Sequence, residues 1–574
     1  MSDKSASNWL VIAAIDFGTT YSGYAFSFRD TPREFHTPQK WYAGTSNLLS
    51  QKTPTCILLN PDETFNSFGY EAEDIFTTLA SEEKHHEYFY FYHFKMELYF
   101  EKNLSIKTTL GDINGRQLKA VKIFALSIKY FKDHFMMTLN NRLPDATDSD
   151  VKFVLTVPAI WTDTAKLFMR EAAKQAGIAS DRLVLALEPE CASILCKDIA
   201  PEKLLHGKCL TFSEKGTQYV VADIGGGTAD FSVHEIEKDL TIVELHKASG
   251  EAYGGVCVDR NYVEMIETIY GVNSVEKLRN EDMEDYLEFL RDFEVRKRTV
   301  TKDLKKIYNI RIPLSLNDFA KEHKVDLQRT ENMHVRGTFE VQRDRIRVDG
   351  IFMLQLFEDS LHKIASHLQM LLKENRNISC IILVGGYSEC IILQEKVNFM
   401  FPDKNIIIPN ECSLAVMKGA VLFGHDPYTV SSRVLKYTYG TNTDFRFEEE
   451  KHDKERKYKD QYGITRCRGT FDPIISAGTK VPATGKKCTL ISVPLDRHQS
   501  SIISEIYFSE NRDVLYIDEE NCRYLGKIEI RLPFVGFKPT LVEEFTFGMT
   551  ELLYTATVKE TGQTVVKQFN VFDV

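Results

Sequence analysis

Apolar runs of strand length that break at glycine mark two places in the chain. Leu10–Ile15 runs into Asp16-Phe17-Gly18-Thr19-Thr20, and Tyr219–Ala222 runs into Asp223-Ile224-Gly225-Gly226-Gly227-Thr228. Apolar and β-branched residues resume after each turn, over Tyr24–Phe28 and Phe231–Val233, so both stretches predict a strand–turn–strand hairpin. Val151–Val157 reads as a buried strand ended by Pro158, with a helix predicted over Asp163–Gly177. Ile378–Val384 repeats that pattern, ending at Gly385-Gly386 with a helical stretch beyond. Asn280–Asn309 and Asp349–Asn375 read as long helical stretches, the second with the better apolar stripe. Strand-like and helix-like segments alternate over residues 1–425, which predicts α/β architecture, and the paired hairpins predict that it is duplicated.

The texture changes after Pro427. Short alternating segments take over at Cys488–Val493, Ser501–Phe508, Asp513–Ile517, Lys527–Leu532, Glu543–Phe547, Leu552–Val558 and Thr564–Val571. Turn residues such as Glu560-Thr561-Gly562 punctuate them, the pattern of a small antiparallel β-domain. The expected division is residues 1–427, a linker at 428–440, and a β-domain over 441–574. Arg446–Lys459, a run of mixed charge, reads as a solvated loop or helix.

At 574 residues the chain is long enough for more than one buried core. Its 43% hydrophobic and 27% charged content is that of an ordinary globular protein. A net charge of -11 offers no basic excess to neutralise a nucleic-acid backbone, so no nucleic-acid partner is expected. The N-terminal apolar run lacks a basic lead and enters the first glycine turn directly, unlike a signal peptide. No run approaches the roughly 18–20 apolar residues of a membrane span. The eleven cysteines are scattered without a C-x-x-C pair, which argues against zinc and a disulfide framework and for a cytoplasmic or nuclear setting.

Glycine turns let backbone amides approach phosphate oxygens closely. The aspartates that open them, Asp16 and Asp223, are hard-oxygen groups suited to magnesium through water. Thr19, Thr20 and Thr228 offer hydroxyls to phosphate or metal. Two such turns suggest a duplicated fold that closes on a nucleotide from both sides. Glu294, Lys297, Arg298 and Thr301 fall at i, i+3, i+4 and i+7, one face of a helix.

An ordered series of motifs carries a resemblance. It runs through Ile15–Tyr21, Thr156-Val157-Pro158-Ala159, Glu188-Pro189, Asp223–Asp230, Gly254-Gly255, Glu294–Arg298 and Leu383-Val384-Gly385-Gly386. This series resembles the 70-kDa heat-shock (DnaK-type) chaperone family, within the actin, sugar kinase and chaperone superfamily of ATP-binding folds. The resemblance implies an actin-like ATPase domain in two lobes followed by a β-sandwich substrate domain. It implies ATP or ADP with Mg2+, with Gly18, Thr19, Thr20, Tyr21, Gly225, Gly226, Gly227, Thr228, Gly254, Gly255, Gly385, Gly386 and Tyr387 around the nucleotide. Lys95, within Phe94-Lys95-Met96, matches the family's catalytic lysine, and Glu188 and Asp230 match carboxylates that position water and metal. The 294–301 face matches the grip on the adenosine.

Departures are also clear. Lys166 stands where the family has an arginine eight residues after the coupling proline, Pro158. Glu389 replaces a base-stacking arginine, with Tyr387 a candidate aromatic face, and Ser413 replaces an aspartate. Later segments, Ala477–Pro482, Ile506–Glu510, Leu525–Ile530 and Ala556–Gly562, resemble the family's β-sandwich, which binds protein or peptide partners. The sequence stops at Val574 in strand-like residues, so no helical lid is expected, and Asp426–Arg433 lacks the acidic-leucine linker. These features resemble the divergent heat shock 70 kDa protein 12 branch. The leading expectation is a slowly hydrolysing, chaperone-like ATPase. A non-catalytic nucleotide sensor or scaffold stands beside it. A small-molecule kinase comes third, with no motif for its acceptor.

Overall fold

The computed structural model describes residues 9–38, 41–42, 49–101, 104–197, 204–206, 214–237, 239–327, 335–494, 499–531 and 539–568. Both hairpins form. The first pairs Val11–Asp16 with Tyr21–Phe28 and sets Asp16 opposite Gly23. The second pairs Gln218–Ile224 with Ala229–Ile236 and sets Asp223 opposite Asp230. Each hairpin's first strand takes a parallel neighbour, Val151–Val157 in one case and Ile378–Val384 in the other. Another parallel strand extends each sheet, Leu183–Leu187 in the first and Asn405–Pro409 in the second. The sheets hold five and eight strands.

Alternation along the strands decides which core each residue enters. Val11, Ala13 and Ile15 pack with Phe17, Phe124 and Phe153, while Ile12 and Ala14 face a middle core with Tyr219, Val221 and Ile382. Val220, Ala222 and Ile224 face a third core with Phe231 and Tyr262. Both sheets are thus buried on both sides, which is why their strands read as unbroken apolar runs. Helices Glu188–Lys197 and Ala415–His425 cross in the middle core, so closely that a Cβ on Gly419 would collide with the Cys191 carbonyl.

Several elements depart from expectation. The 280–309 stretch divides into helices Ser274–Glu281 and Met283–Lys297, then a strand at Tyr308–Arg311. Asp282 makes the break, because its side chain accepts from the Asp285 amide and starts the second helix as an N-cap. Asp349 likewise caps Gly350–Gln355, and a separate helix follows over Glu358–Glu374. Residues 428–440, read as a linker, hold structure at both ends. Val430–Val434 joins the eight-stranded sheet beside Ile242–Glu251 and also pairs with Lys480–Pro482, and Thr438–Thr443 enters a second sheet.

The C-terminal region contains two four-stranded sheets. One runs in the order Thr470–Ile475, Thr438–Thr443, Ser501–Ser509, Cys522–Arg531; the other runs Lys486–Ser492, Leu541–Phe547, Leu553–Val558, Thr564–Gln568. They share a core of Tyr439, Ile506, Phe508, Leu525, Phe545 and Tyr554. Buried Glu543 accepts hydrogen bonds from Ser504, Ser492 and Tyr554, which satisfies its carboxylate without a cation. Asp513–Ile517 does not form the expected strand; Tyr516 makes one isolated bridge to Thr470. Residues 569–571 of the last expected strand lie outside the described residues. The 446–459 run is largely loop, with a short turn at Lys454–Arg456 and a strand at Lys457–Lys459. Among the described residues no helix is long and apolar enough to cross a membrane, and the ten described cysteines form no disulfide.

Candidate functional site

Both hairpin turns open on one cleft of about 570 Å³. Asp16, Gly18, Thr19, Thr20 and Tyr21 line one side, and Asp223, Gly225, Gly226, Gly227 and Thr228 line the other. The turns nearly touch. A Cβ on Gly226 would run into the Thr20 side chain, and one on Gly227 into the Met96 sulfur and the Thr19 hydroxyl. Only a bare backbone leaves its N–H groups within reach of an anion at this closeness. The second loop is anchored from behind: the Gly255 amide donates to the Gly225 carbonyl at 3.1 Å, and the Val256 amide donates to that of Gly226 at 2.8 Å. Gly385 has φ +89°, and a Cβ there would press on Asp223 Oδ1 and the Ile224 carbonyl, both 2.5 Å away.

Strand register gathers the carboxylates. Asp223 and Asp230 face one another across the second hairpin. Asp16 ends the first strand, where the parallel neighbour brings in Thr156, whose hydroxyl donates to Asp16 Oδ1 at 3.0 Å. Glu188 is the first residue of the helix that follows strand Leu183–Leu187. All four carboxylates are buried. Desolvation pushes the Glu188 carboxyl up, against the pull of Lys95. It pushes Asp223 up too, helped by the charges of Glu188 and Asp16. Asp230 is held well above the usual carboxylate range by burial, then by Glu188 and Asp223. Neither Asp230 oxygen has a hydrogen-bond partner. Such crowding favours any cation that can enter.

Lys95 answers part of that demand. It sits on a short turn, Phe94–Met96, and is 3% exposed. Its Nζ donates to Glu188 Oε1 at 2.9 Å and lies 5.1 Å from the centre of the Trp161 ring. The aromatic run around it fills the core beneath: Phe94 packs on Phe17 and Phe124.

The opposite end of the cleft is formed by Val256, Val258, Glu294, Lys297, Arg298, Phe357, Gly386, Tyr387, Glu389, Leu414 and Val416. Lys297 Nζ bridges both oxygens of Asp259, at 2.7 and 2.8 Å, and also meets Glu294. Arg298 Nε donates to Glu294 Oε1 at 3.0 Å, and its guanidinium lies 5.2 Å from the Tyr21 ring centre. Tyr387 is anchored through its hydroxyl to Ser360 Oγ at 2.8 Å, with its ring beside Gly255. Glu389 and Ser413 both line the cleft.

Three expected residues stand outside its lining. Asp230 is buried behind Asp223, and Gly254 backs the second loop against the Gly226 carbonyl. Thr301 lies past the helix, which ends at Lys297, so the one-face spacing stops applying before it; its amide donates to the Tyr308 hydroxyl at 3.1 Å. Sequence reasoning missed Lys52 and Phe357 in the cleft wall, which belong to no motif, and gave no site role to Leu414 and Val416, which also line it.

A divalent cation fits this donor set. Asp16 and Asp223 present hard oxygens, and the unpartnered Asp230 oxygens suit water held on such an ion. No group of three or more acidic, histidine or cysteine side chains forms a metal cage among the described residues. Magnesium usually takes only one or two carboxylates and completes its shell with water and phosphate.

Similarity to known proteins agrees with the geometry. A family profile described as "Hsp70 protein" matches residues 78–427. The chain is 34% identical to heat shock 70 kDa protein 12A of Mus musculus, across 97% of this chain and 91% of that protein. It is 32% identical to heat shock 70 kDa protein 12B of Homo sapiens, across 97% and 90%. With the chaperone protein DnaK of Mycoplasma mobile the identity is 23%, across 86% of this chain and 68% of that protein. This chain therefore belongs to the Hsp70 family, on its divergent heat shock 70 kDa protein 12 branch, and carries that family's nucleotide-binding architecture.

Proposed function

We propose that this protein binds ATP and ADP with Mg2+ between two lobes and hydrolyses ATP slowly, with a β-sandwich that engages protein or peptide partners. The observation that carries the reading is the cleft itself: two glycine turns face one another around a buried Lys95–Glu188 pair and the carboxylates Asp16 and Asp223. Backbone amides of Gly18–Thr20 and Gly225–Thr228 hold the phosphates, and Lys297 and Arg298 hold the ribose end. Magnesium, when bound at Asp16 and Asp223, neutralises the phosphate charge and orients the terminal group. Lys95 and Glu188 place a water in line with that group, and Lys95 steadies charge on the departing phosphoryl. Asp230, with both oxygens unpartnered, would accept from water held on that ion. Residues 1–427 form the nucleotide unit and 441–574 the partner-binding unit.

Support for partner binding comes from Lys486–Ser492, the outer strand of its sheet among the described residues. Ile491 within it is 72% exposed. A strand edge of this kind accepts an extended peptide through main-chain hydrogen bonds.

A second reading is a nucleotide sensor without turnover, whose closure is read by a partner. Glu389 in the cleft wall favours it, since a carboxylate cannot stack on adenine as a guanidinium does. Single-turnover hydrolysis decides between them. The first reading requires that Lys95→Ala and Asp230→Ala abolish turnover while wild type hydrolyses. Tight ATP binding with no turnover in wild type selects the sensor.

A further inference from the structure

Lys52 enters the phosphate end of the cleft from outside every motif. It precedes strand Thr53–Pro54, which pairs with Tyr21 and Ser22, so its position is tied to the first glycine hairpin. Its Nζ donates to Asp16 Oδ2 at 2.6 Å, with 16% of its side chain exposed and 6% of the aspartate's. The other Asp16 oxygen is taken by Thr156. The route of the lysine is built in. Gly23 lies opposite Asp16 in the hairpin, and a Cβ on Gly23 would stand 3.0 Å from Lys52 Cγ. The missing side chain leaves the groove along which the lysine stem reaches the carboxylate.

The charge balance gives this contact a purpose. Among the described residues, two ammonium groups pair directly with the four buried carboxylates Asp16, Glu188, Asp223 and Asp230, namely Lys95 and Lys52. Lys95 is committed to Glu188, so Lys52 is the cation facing Asp16. An ammonium there is a compact point charge on a flexible stem, able to turn from a carboxylate to a phosphate oxygen. Polyphosphate entering between the two turns arrives next to it and offers more negative charge than Asp16 alone.

We propose that Lys52 is a tethered cation for the nucleotide polyphosphate, supplying at Asp16 part of the charge that a divalent metal would bring, so that adenine nucleotide binds with little dependence on Mg2+. This rests on the nucleotide reading above and deepens it. Magnesium then matters for hydrolysis through Asp223 more than for holding the ligand.

Calorimetric titration of the full chain with ADP, in excess Mg2+ and separately in EDTA, tests it. In wild type the two dissociation constants should agree within about fivefold. In Lys52→Ala the dissociation constant in EDTA should exceed that in Mg2+ by at least about thirtyfold. Wild-type binding that disappears in EDTA overturns the Lys52 proposal and needs no variant to do so. A Lys52→Ala protein with the wild-type ratio also overturns it. Absence of ADP binding in both conditions is a different failure: it removes the nucleotide reading itself, and the proposal falls with it.

Discussion

Arg433 sits in strand Val430–Val434 of the eight-stranded sheet, and its replacement should loosen the contact of that strand with the C-terminal sheets. Its guanidinium grips Glu190 with two parallel bonds, Nε to Oε1 at 2.6 Å and Nη2 to Oε2 at 2.7 Å. Nη1 donates to the Gly548 carbonyl at 2.6 Å, so one side chain joins the helix carrying Glu188 to a turn of the C-terminal sheets. The pair is buried, at 9% and 3% side-chain exposure. Removing one partner from such a pair strands the other charge and costs about 3–5 kcal/mol. That is roughly 150- to 4,000-fold in a local opening constant, at 1.4 kcal/mol per decade. Hydrogen exchange by mass spectrometry reads this directly, because opening of Val430–Val434 exposes its ladder amides. Arg433→Met should speed their exchange by at least 150-fold by that estimate. Arg433→Met combined with Glu190→Gln should recover much of the loss, since Glu190 then carries no charge for Arg433 to balance. Less than about a fivefold change in the single variant would refute the reasoning, because it is far below the smallest expected effect.

Other expectations follow from neighbouring groups. Lys436, which donates to the Ile160 carbonyl at 2.9 Å, has its ammonium pushed down to about 8 by burial. The unfolded chain therefore binds more protons than the folded one between about pH 8 and the ordinary lysine value near 10.4, and stability should rise with pH across that window. Melting curves at pH 7.5 and 9.5 test this, and Lys436→Met should flatten the difference. Asp230, held well above the usual carboxylate range, penalises the fold as pH rises from about 4 towards neutrality. Asp230→Asn should raise the melting temperature at pH 8 by roughly 2 °C or more, leave it little changed at pH 4, and abolish hydrolysis. Lys297→Ala should weaken nucleotide binding at least about tenfold, a loss of about 1.4 kcal/mol, whereas Thr301→Ala, beyond the helix end, should leave it within about twofold. Titration calorimetry on the pair distinguishes them.

The sequence made the hairpins and parallel strands legible because burial on both faces leaves unbroken apolar runs ended by glycine or proline, as at Val151–Val157 and Ile378–Val384. Helix boundaries were harder to read. The Asp282 break depends on a local cap that charge periodicity does not register, and the helix ends at Lys297, short of the Thr301 that the spacing puts on its face. Residues 428–440 read as a linker because short polar strands such as Val430–Val434 take their stability from partners distant in sequence, here Ile242 and Val481. Most cleft residues belong to the ordered motif series or to its named departures, so the sequence alone points to them. Lys52 could not, because its role arises from strand pairing and from the groove at Gly23.

An adenine nucleotide should sit in the cleft between the two glycine turns. Titration of the full chain with ATP in Mg2+, followed by calorimetry, addresses it most directly. One nucleotide per chain should bind at micromolar affinity or better, and binding should be lost in Gly227→Val, whose side chain would run into Met96 and Thr19. Heats no different from dilution with millimolar ATP, or binding undisturbed by Gly227→Val, would contradict it.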